Sequence, residues 1–496
     1  MTSRALTLLA MAAGAASSRL GAKWRPEQCA ALADAALLDD ADDEVGPRCD
    51  LAVVGTGWAG AYFAWRLGVD AAAVDAARIC VFEANGRVGG RIFSARDLPT
   101  LEGLALDVGG YRFIEVDALP ADLVRARLEM PTSCYDYNCT KECPGEAEAG
   151  GAGGFHTCYV LRDAYGNNAG YAQPIELMLD QLIDASARVR FGARLTGVFA
   201  GEDGATTLAF ADGVPNASAA RVLLNLPSNA IGRLDGVLAA GAGAPAARAA
   251  LVDDVWMPNI TKVYASYGDA WWATKLGRME GTFERGLDDP NATAPLQGRY
   301  HDGPLKCVVG ADPSGAPVYS GEKLPFGNCS GAIEVFYTRA HPYYQRFESG
   351  VAEQPLAVFD LTAEGGASAD AVELARAVHA SLMDFHRDAL AAAGVDADRD
   401  VPPPRMITVS NWRSGDTFTP SCGNFTGDAA AAALARRPLP ESMPQLFVAN
   451  TDIGPQFCWA TGALIVAEKI LQAELGVAAP SWLNATWYEQ RVVAQP

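Results

Sequence analysis

Gly55, Gly57 and Gly60 stand in a Gly-x-Gly-x-x-Gly spacing, directly after the apolar run Leu51-Ala52-Val53-Val54 and before a helical stretch at 61–67. In that context the first glycine permits a tight turn. The second lets backbone approach a pyrophosphate at the positive end of the helix, and the third lets helix and strand pack closely. A second apolar run, Ile79-Cys80-Val81-Phe82, ends at Glu83, whose carboxylate can accept hydrogen bonds from both ribose hydroxyls of an adenosine. These residues predict a dinucleotide site with a free 2′-hydroxyl.

The next residues, Gly86-Arg87-Val88-Gly89-Gly90-Arg91, resemble the motif that follows the ribose-binding Glu in the flavin-containing amine oxidase superfamily. The resemblance implies FAD, with Gly90 and Arg91 at the cofactor. It continues at Asn259–Trp272, similar to a strand in monoamine and L-amino acid oxidases whose Lys holds a water against flavin N5; Lys262 takes that position and Trp272 the terminal aromatic. A fixed cation there would stabilise charge developing on oxygen as it is reduced. Val198, on the second of a series of short strands, matches a Val of the adenine pocket.

Near the C-terminus, Phe447–Asp452 followed by Trp459-Ala460-Thr461-Gly462-Ala463 resembles the family's closing motif. It implies a helix N-terminus at the flavin, with backbone near Ala460 and Thr461 stabilising a reduced ring, and Trp459 as one aromatic wall of the substrate site. Asn450 and Asp452 depart from the usual Gly and Glu, so backbone approach is expected to differ there and the contact of Asp452 with the cofactor to be shorter. The second wall falls on Gly423, which argues against a closed two-aromatic cage. Cys422 matches the Cys that bonds covalently to flavin in monoamine oxidases, although a disulfide suits a secreted chain better. Arg112, in Gly109-Gly110-Tyr111-Arg112-Phe113, sits on the Arg that grips the substrate carboxylate in L-amino acid oxidases.

The implied reaction is hydride transfer to FAD from the carbon bearing a neutral amine. Water then hydrolyses the imine, and O2 is reduced to hydrogen peroxide. The expected substrate is a small amine or an L-amino acid. A polyamine oxidase, a flavin-dependent desaturase or prenylcysteine-type oxidase, and a flavin-binding protein without turnover are the alternatives.

These residues must be positioned by an α/β fold with an α+β inserted part: a Rossmann-like FAD-binding domain assembled from residues 50–115, 185–262 and 405–475. A substrate-binding domain is expected from 116–184 and 263–404, after a signal peptide at 1–18 and an acidic lead-in at 19–49, with a tail at 476–496. Short strands are predicted at 189–191, 195–200, 206–210, 221–226 and 445–450, and helices at 24–44, 170–186 and 462–475. A further helix at 369–393 is predicted to place Val372, Ala375, Val378, Leu382, Phe385 and Ala389 on its apolar side.

With 39 Lys and Arg against 59 Asp and Glu, the net charge is −20, which excludes sequence-independent nucleic-acid binding. The acidity reads first as solubility. Residues 1–18 pattern as a secretory signal, and glycosylation sequons at Asn138, Asn216, Asn259, Asn291, Asn328, Asn424 and Asn484 agree with a secreted or endomembrane-lumenal protein. No membrane span is expected, and a homodimer is among the expected assembly states. Of the 11 cysteines, Cys80 is expected to be a free core thiol, the other ten being available to pair. Cys134, Cys139, Cys143 and Cys158, near His156, suit either disulfides or a zinc site, and an oxidising compartment favours disulfides.

Overall fold

The computed structural model describes residues 46–494 except 137–138, 142, 146–153, 164–165, 240–243, 312–316, 321–327, 348–354, 414–422 and 457. The expected signal segment, the helix at 24–44, Asn138 and Cys422 lie outside the described residues.

One sheet has the spatial order Arg188–Arg190, Ile79–Phe82, Arg48–Val54, Ala217–Leu224, Thr206–Phe210, Leu195–Ala200, Asp235–Gly236. Its first four strands run parallel, and Thr206–Phe210 is antiparallel to both neighbours. Ala217–Leu224 changes partner along its length: Ala217–Ala219 pair with Thr206–Leu208, while Val222–Leu224 pair in parallel with Leu446–Val448. Parallel strands are covered on both faces, which is why Leu51, Val53, Val54 and all of Ile79–Phe82 are apolar and buried rather than alternating.

Helices Trp58–Trp65, Gln173–Asp184 and Ala460–Ala473 bury their apolar residues in the same core. Between them lies Glu468, fully buried, which accepts from Tyr62 Oη at 2.6 Å, Arg66 Nε at 2.9 Å and Tyr488 Oη at 3.0 Å. A buried carboxylate is tolerable only when its lone pairs are met in this way. The helix Gln173–Asp184 therefore belongs to the first core, although its sequence position put it with the inserted part.

The second sheet is antiparallel, in the order Thr282–Arg285, Leu296–Arg299, Cys329–Arg339, Ile260–Tyr267, Met406–Trp412, Leu356–Asp360. Met406–Trp412 thus pairs with the Lys262 strand, and the chain rejoins the first sheet only at Leu446. Ser368 caps the helix Ala369–Ala392, its hydroxyl accepting from Ala371 N at 3.1 Å. That helix buries Leu374, Ala375, Val378, Leu382, Met383, His386 and Leu390. Val372 and Phe385 instead point to solvent at 51% and 37% exposure, so the buried stripe is rotated from the expected one. The shift follows from His386, a polar residue admitted to the core because its Nε2 meets Tyr300 Oη at 2.7 Å and its Nδ1 the Leu382 carbonyl at 2.7 Å.

Cys80 is not a free thiol: it is disulfide-bonded to Cys49, with Cα atoms 6.0 Å apart. Cys49 lies at the start of the strand beside that of Cys80, a proximity that only the sheet creates. The irregular segment carries Cys134–Cys139 and Cys143–Cys158, which consumes the thiolates a zinc site would need. Cys307–Cys329 ties two strands of the second sheet, and Cys458 is also disulfide-bonded. Among the described residues no helix is long and apolar enough to cross a membrane. The expected α/β architecture with an inserted antiparallel part is the observed one.

Candidate active site

A cavity of about 400 Å³ opens at the glycine turn, within the usual size of a small-molecule site. Gly55, Gly57, Glu83, Gly90, Arg91, Leu195 and Thr196 are among the residues lining it on the side of the first sheet. Gly110, Trp412, Cys458, Trp459 and Ala460 contribute where the two sheets meet.

The turn is made by glycine for steric reasons. Gly55 has φ +97°, and a Cβ there would sit 2.3 Å from the Asn225 carbonyl oxygen. At Gly60 a Cβ would fall 2.1 Å from the Gly55 carbonyl, so no side chain fits between turn and helix. Gly57 caps Trp58–Trp65 without any side-chain hydrogen bond, leaving the positive end of the helix to face an anion. Gly89 N donates to the Thr56 carbonyl at 3.0 Å, docking the second glycine motif onto the first. Gly90, at φ +56°, borders open space.

Glu83 is buried, and its carboxylate is held by Thr56 N and Oγ1 at 2.9 and 2.7 Å and by Asn85 N and Nδ2 at 2.9 and 3.0 Å. It lines the cavity in a fixed orientation. Val198 is fully buried in its strand and lies outside the lining; Leu195 and Thr196 form the wall there.

Asp452 is fully buried and turned away from the cavity. It forms an ion pair with Arg91 and accepts from Ser228 N at 3.0 Å and Gly423 N at 3.1 Å, bracing the second glycine motif against the C-terminal segment. Asn450 explains its own departure from Gly. Its Nδ2 donates to the Leu226 carbonyl at 2.6 Å, and its Oδ1 accepts from Asp452 N and Ile453 N at 2.9 and 3.1 Å. A Cβ on Gly423 would lie 2.6 Å from the Asp452 carboxyl carbon, so no aromatic wall can stand at that position. Ala460 opens the helix Ala460–Ala473 at the cavity, with Trp459 as an N-cap that makes no side-chain capping bond. The Thr461 hydroxyl donates to Asp117 at 2.8 Å, which leaves its backbone at the start of that helix.

Segment 107–110 joins the cavity to the second sheet. Trp412 Nε1 and Ser410 Oγ donate to the Val108 carbonyl at 2.7 and 3.1 Å, and Tyr264 Oη donates to that of Asp107 at 3.2 Å. Lys262 Nζ donates to the carbonyls of Asp107 and Gly109 at 3.2 and 3.0 Å, and lies 3.8 and 4.6 Å from the ring centroids of Tyr111 and Tyr337. It stands behind the wall formed by Gly110 rather than in the lining itself. Burial pushes its ammonium down to about 7, with Glu334 and Asp107 opposing the shift.

Arg112 lies among aromatic rings, its guanidinium carbon 4.2 Å from the centroid of Tyr135, 4.7 Å from Tyr111 and 6.0 Å from Trp459. Its Nη1 is buried without a hydrogen-bond partner, a costly state that an anionic ligand would relieve. Tyr135, Tyr337, Arg299, Asp302 and Glu334 complete this polar cluster. None of them carries a local sequence signal, since Tyr135 falls in an irregular segment and the others in a region without recognisable motifs.

The two glycine motifs, Glu83, Trp459 and Ala460 are therefore gathered around one cavity, with Lys262 and Arg112 packed at its second-sheet side. Val198, Asp452 and Thr461 lie outside its lining, as do Lys262 and Arg112. Residues 53–122 match a family profile described as NAD(P)-binding Rossmann-like domain. No curated protein sequence matches the chain. Solved structures of putrescine oxidase are similar: a single-residue mutant from a redesign of cofactor binding aligns with TM-score 0.52 and 14% identity over 87% of this chain and 100% of that one. The wild type bound to putrescine aligns with TM-score 0.51 and 14% identity over 86% of this chain and 99% of that one. The chain has the fold of these structures.

Proposed function

We propose that a chain with this fold and this cavity is an FAD-dependent amine oxidase of L-amino acid oxidase type. The observation that carries the reading is the continuity of the site: one cavity is lined both by the glycine turn with Glu83 and by Gly110, Trp412 and Trp459. The uncapped helix at Gly57 and the Gly90 opening fit the pyrophosphate, and Glu83 the ribose. FAD, when bound, supplies the two-electron acceptor for C–N oxidation. Overall, amine, O2 and water give a carbonyl compound, ammonia and hydrogen peroxide.

In this reading the residues divide the work. Arg112, packed against Tyr111 and Trp459 just outside the cavity's lining, meets the substrate carboxylate through its unpartnered Nη1, and Trp459 walls the reacting carbon. Lys262, with its proton held only weakly, supplies positive charge behind Gly110 where oxygen is reduced. The disulfides suit a secreted or lumenal compartment.

A second reading, polyamine oxidation, is supported by the likeness to putrescine oxidase and by Asp302 and Glu334 near Arg112, which suit a second ammonium group. The test is purification, a flavin absorption spectrum, and a peroxide assay over amino acids and polyamines. Amino-acid turnover lost on Arg112→Ala supports the first reading. Turnover of polyamines alone replaces it with the second, and a flavin that no panel member reduces overturns both.

A further inference from the structure

We propose that Asp302 is a positioning residue which, through Tyr135, aims the guanidinium of Arg112. This rests on the reading of Arg112 as the group that meets a substrate carboxylate. Tyr135 is held at its hydroxyl from several sides. It donates to Asp302 Oδ1, accepts from Arg299 Nη1 at 2.9 Å, and lies 3.3 Å from Tyr111 Oη. Its ring in turn supports Arg112, whose guanidinium carbon is 4.2 Å from the ring centroid. The ring also packs edge-on against His301, 4.6 Å between centroids, while the phenol's hydrogen bonds set its tilt and so where the cation rests.

The state of Asp302 matters to this arrangement. Burial, with the Glu334 carboxylate nearby, holds its carboxyl well above the usual carboxylate range. With the proton on Asp302 Oδ2, Oδ1 is a neutral carbonyl acceptor for Tyr135. A neutral Asp302 steadies the ring without capturing Arg112 in an ion pair, so Nη1 stays open to a ligand. Asp302 need not touch the substrate.

The holoenzyme tests this with 3-phenylpropionate as a carboxylate probe, its binding measured by calorimetry, alongside steady-state kinetics on amino acids. Asp302→Ala and Tyr135→Phe are expected to weaken probe binding and raise KM about tenfold, one hydrogen bond's worth, with kcat little changed. Asp302→Asn keeps the carbonyl acceptor and is expected to restore probe binding to within about twofold. Wild-type probe binding in both Asp302→Ala and Tyr135→Phe overturns the inference, and Tyr135→Phe decides the matter alone if Asp302→Ala fails to fold. Arg112→Ala separates the two layers. If it abolishes probe binding while Asp302→Ala and Tyr135→Phe do not weaken it, the positioning role falls and the clamp stands. If Arg112→Ala itself leaves binding intact, the clamp reading falls and the positioning role with it.

Discussion

The ammonium of Lys262 lies 3.8 Å from the centroid of the Tyr111 ring, with its hydrogen bonds directed to two backbone carbonyls. Burial outweighs the help that the rings, the carbonyl dipoles and the Glu334 and Asp107 carboxylates give this cation, so its proton is easy to lose. The sign is definite: with Lys262 depressed to about 7, the charge is present below that pH and lost as pH rises through it. Oxygen consumption at saturating amine is expected to fall on the alkaline side of neutrality in proportion to this titration. Lys262→Met should be slower by about 100-fold, the scale of one removed charge-stabilising group, and should lack that limb. A wild-type alkaline limb that survives in Lys262→Met would exclude Lys262 as its source.

Gly60 leaves no room for a methyl group, because a Cβ there meets the Gly55 carbonyl at 2.1 Å. Gly60→Ala should push helix and turn apart and release the dinucleotide. The expected purified protein is colourless, with an unfolding midpoint below that of wild-type apoprotein. A yellow protein of normal flavin content would contradict this packing argument.

Glu468 gathers Tyr62, Arg66 and Tyr488 in the core. Glu468→Leu leaves a buried guanidinium short of one partner, although Asp70 still pairs with it. The expected loss is about 3 kcal/mol in denaturant unfolding, with Arg66→Met in the same chain recovering part of it. A neutral Glu468→Leu would mean that the core rearranges to hydrate Arg66.

The Cys49–Cys80 disulfide closes a loop within the first sheet. Removing both sulfurs with Cys49→Ala and Cys80→Ala should cost about 3 kcal/mol. Thiol labelling of the unfolded, unreduced wild type should leave both cysteines unmodified, and labelling of either one would refute the pairing.

The glycine motifs, Glu83 and the strands around them were legible because each is a local pattern whose meaning depends on a few adjacent residues. Lys262 and Trp459 became legible through resemblance, since a Lys in an apolar strand or a Trp at a helix start says little alone. Tyr135 and Asp302 were not legible: the contact between them is made by separate, irregular stretches that only the completed fold brings together. The same reason hid the Cys49–Cys80 pair, because the register of neighbouring strands is not written in either strand. Asp452 shows how burial redirects a motif residue: it is spent on an ion pair with Arg91, which lines the cavity, and this partner could not be read from the motif. Val372 and Phe385 show that apolar spacing gives a helix its period but not its rotation.

The strand Ala217–Leu224 takes its last parallel neighbour, Leu446–Val448, from far along the chain. During synthesis, residues Val222–Leu224 therefore wait with an unpaired edge while the whole second sheet is made. Such an edge is a hazard for the growing polypeptide. Premature termination between Leu224 and Leu446 would release a product with both an open edge and half a cavity, which quality control would meet as an aggregation-prone chain.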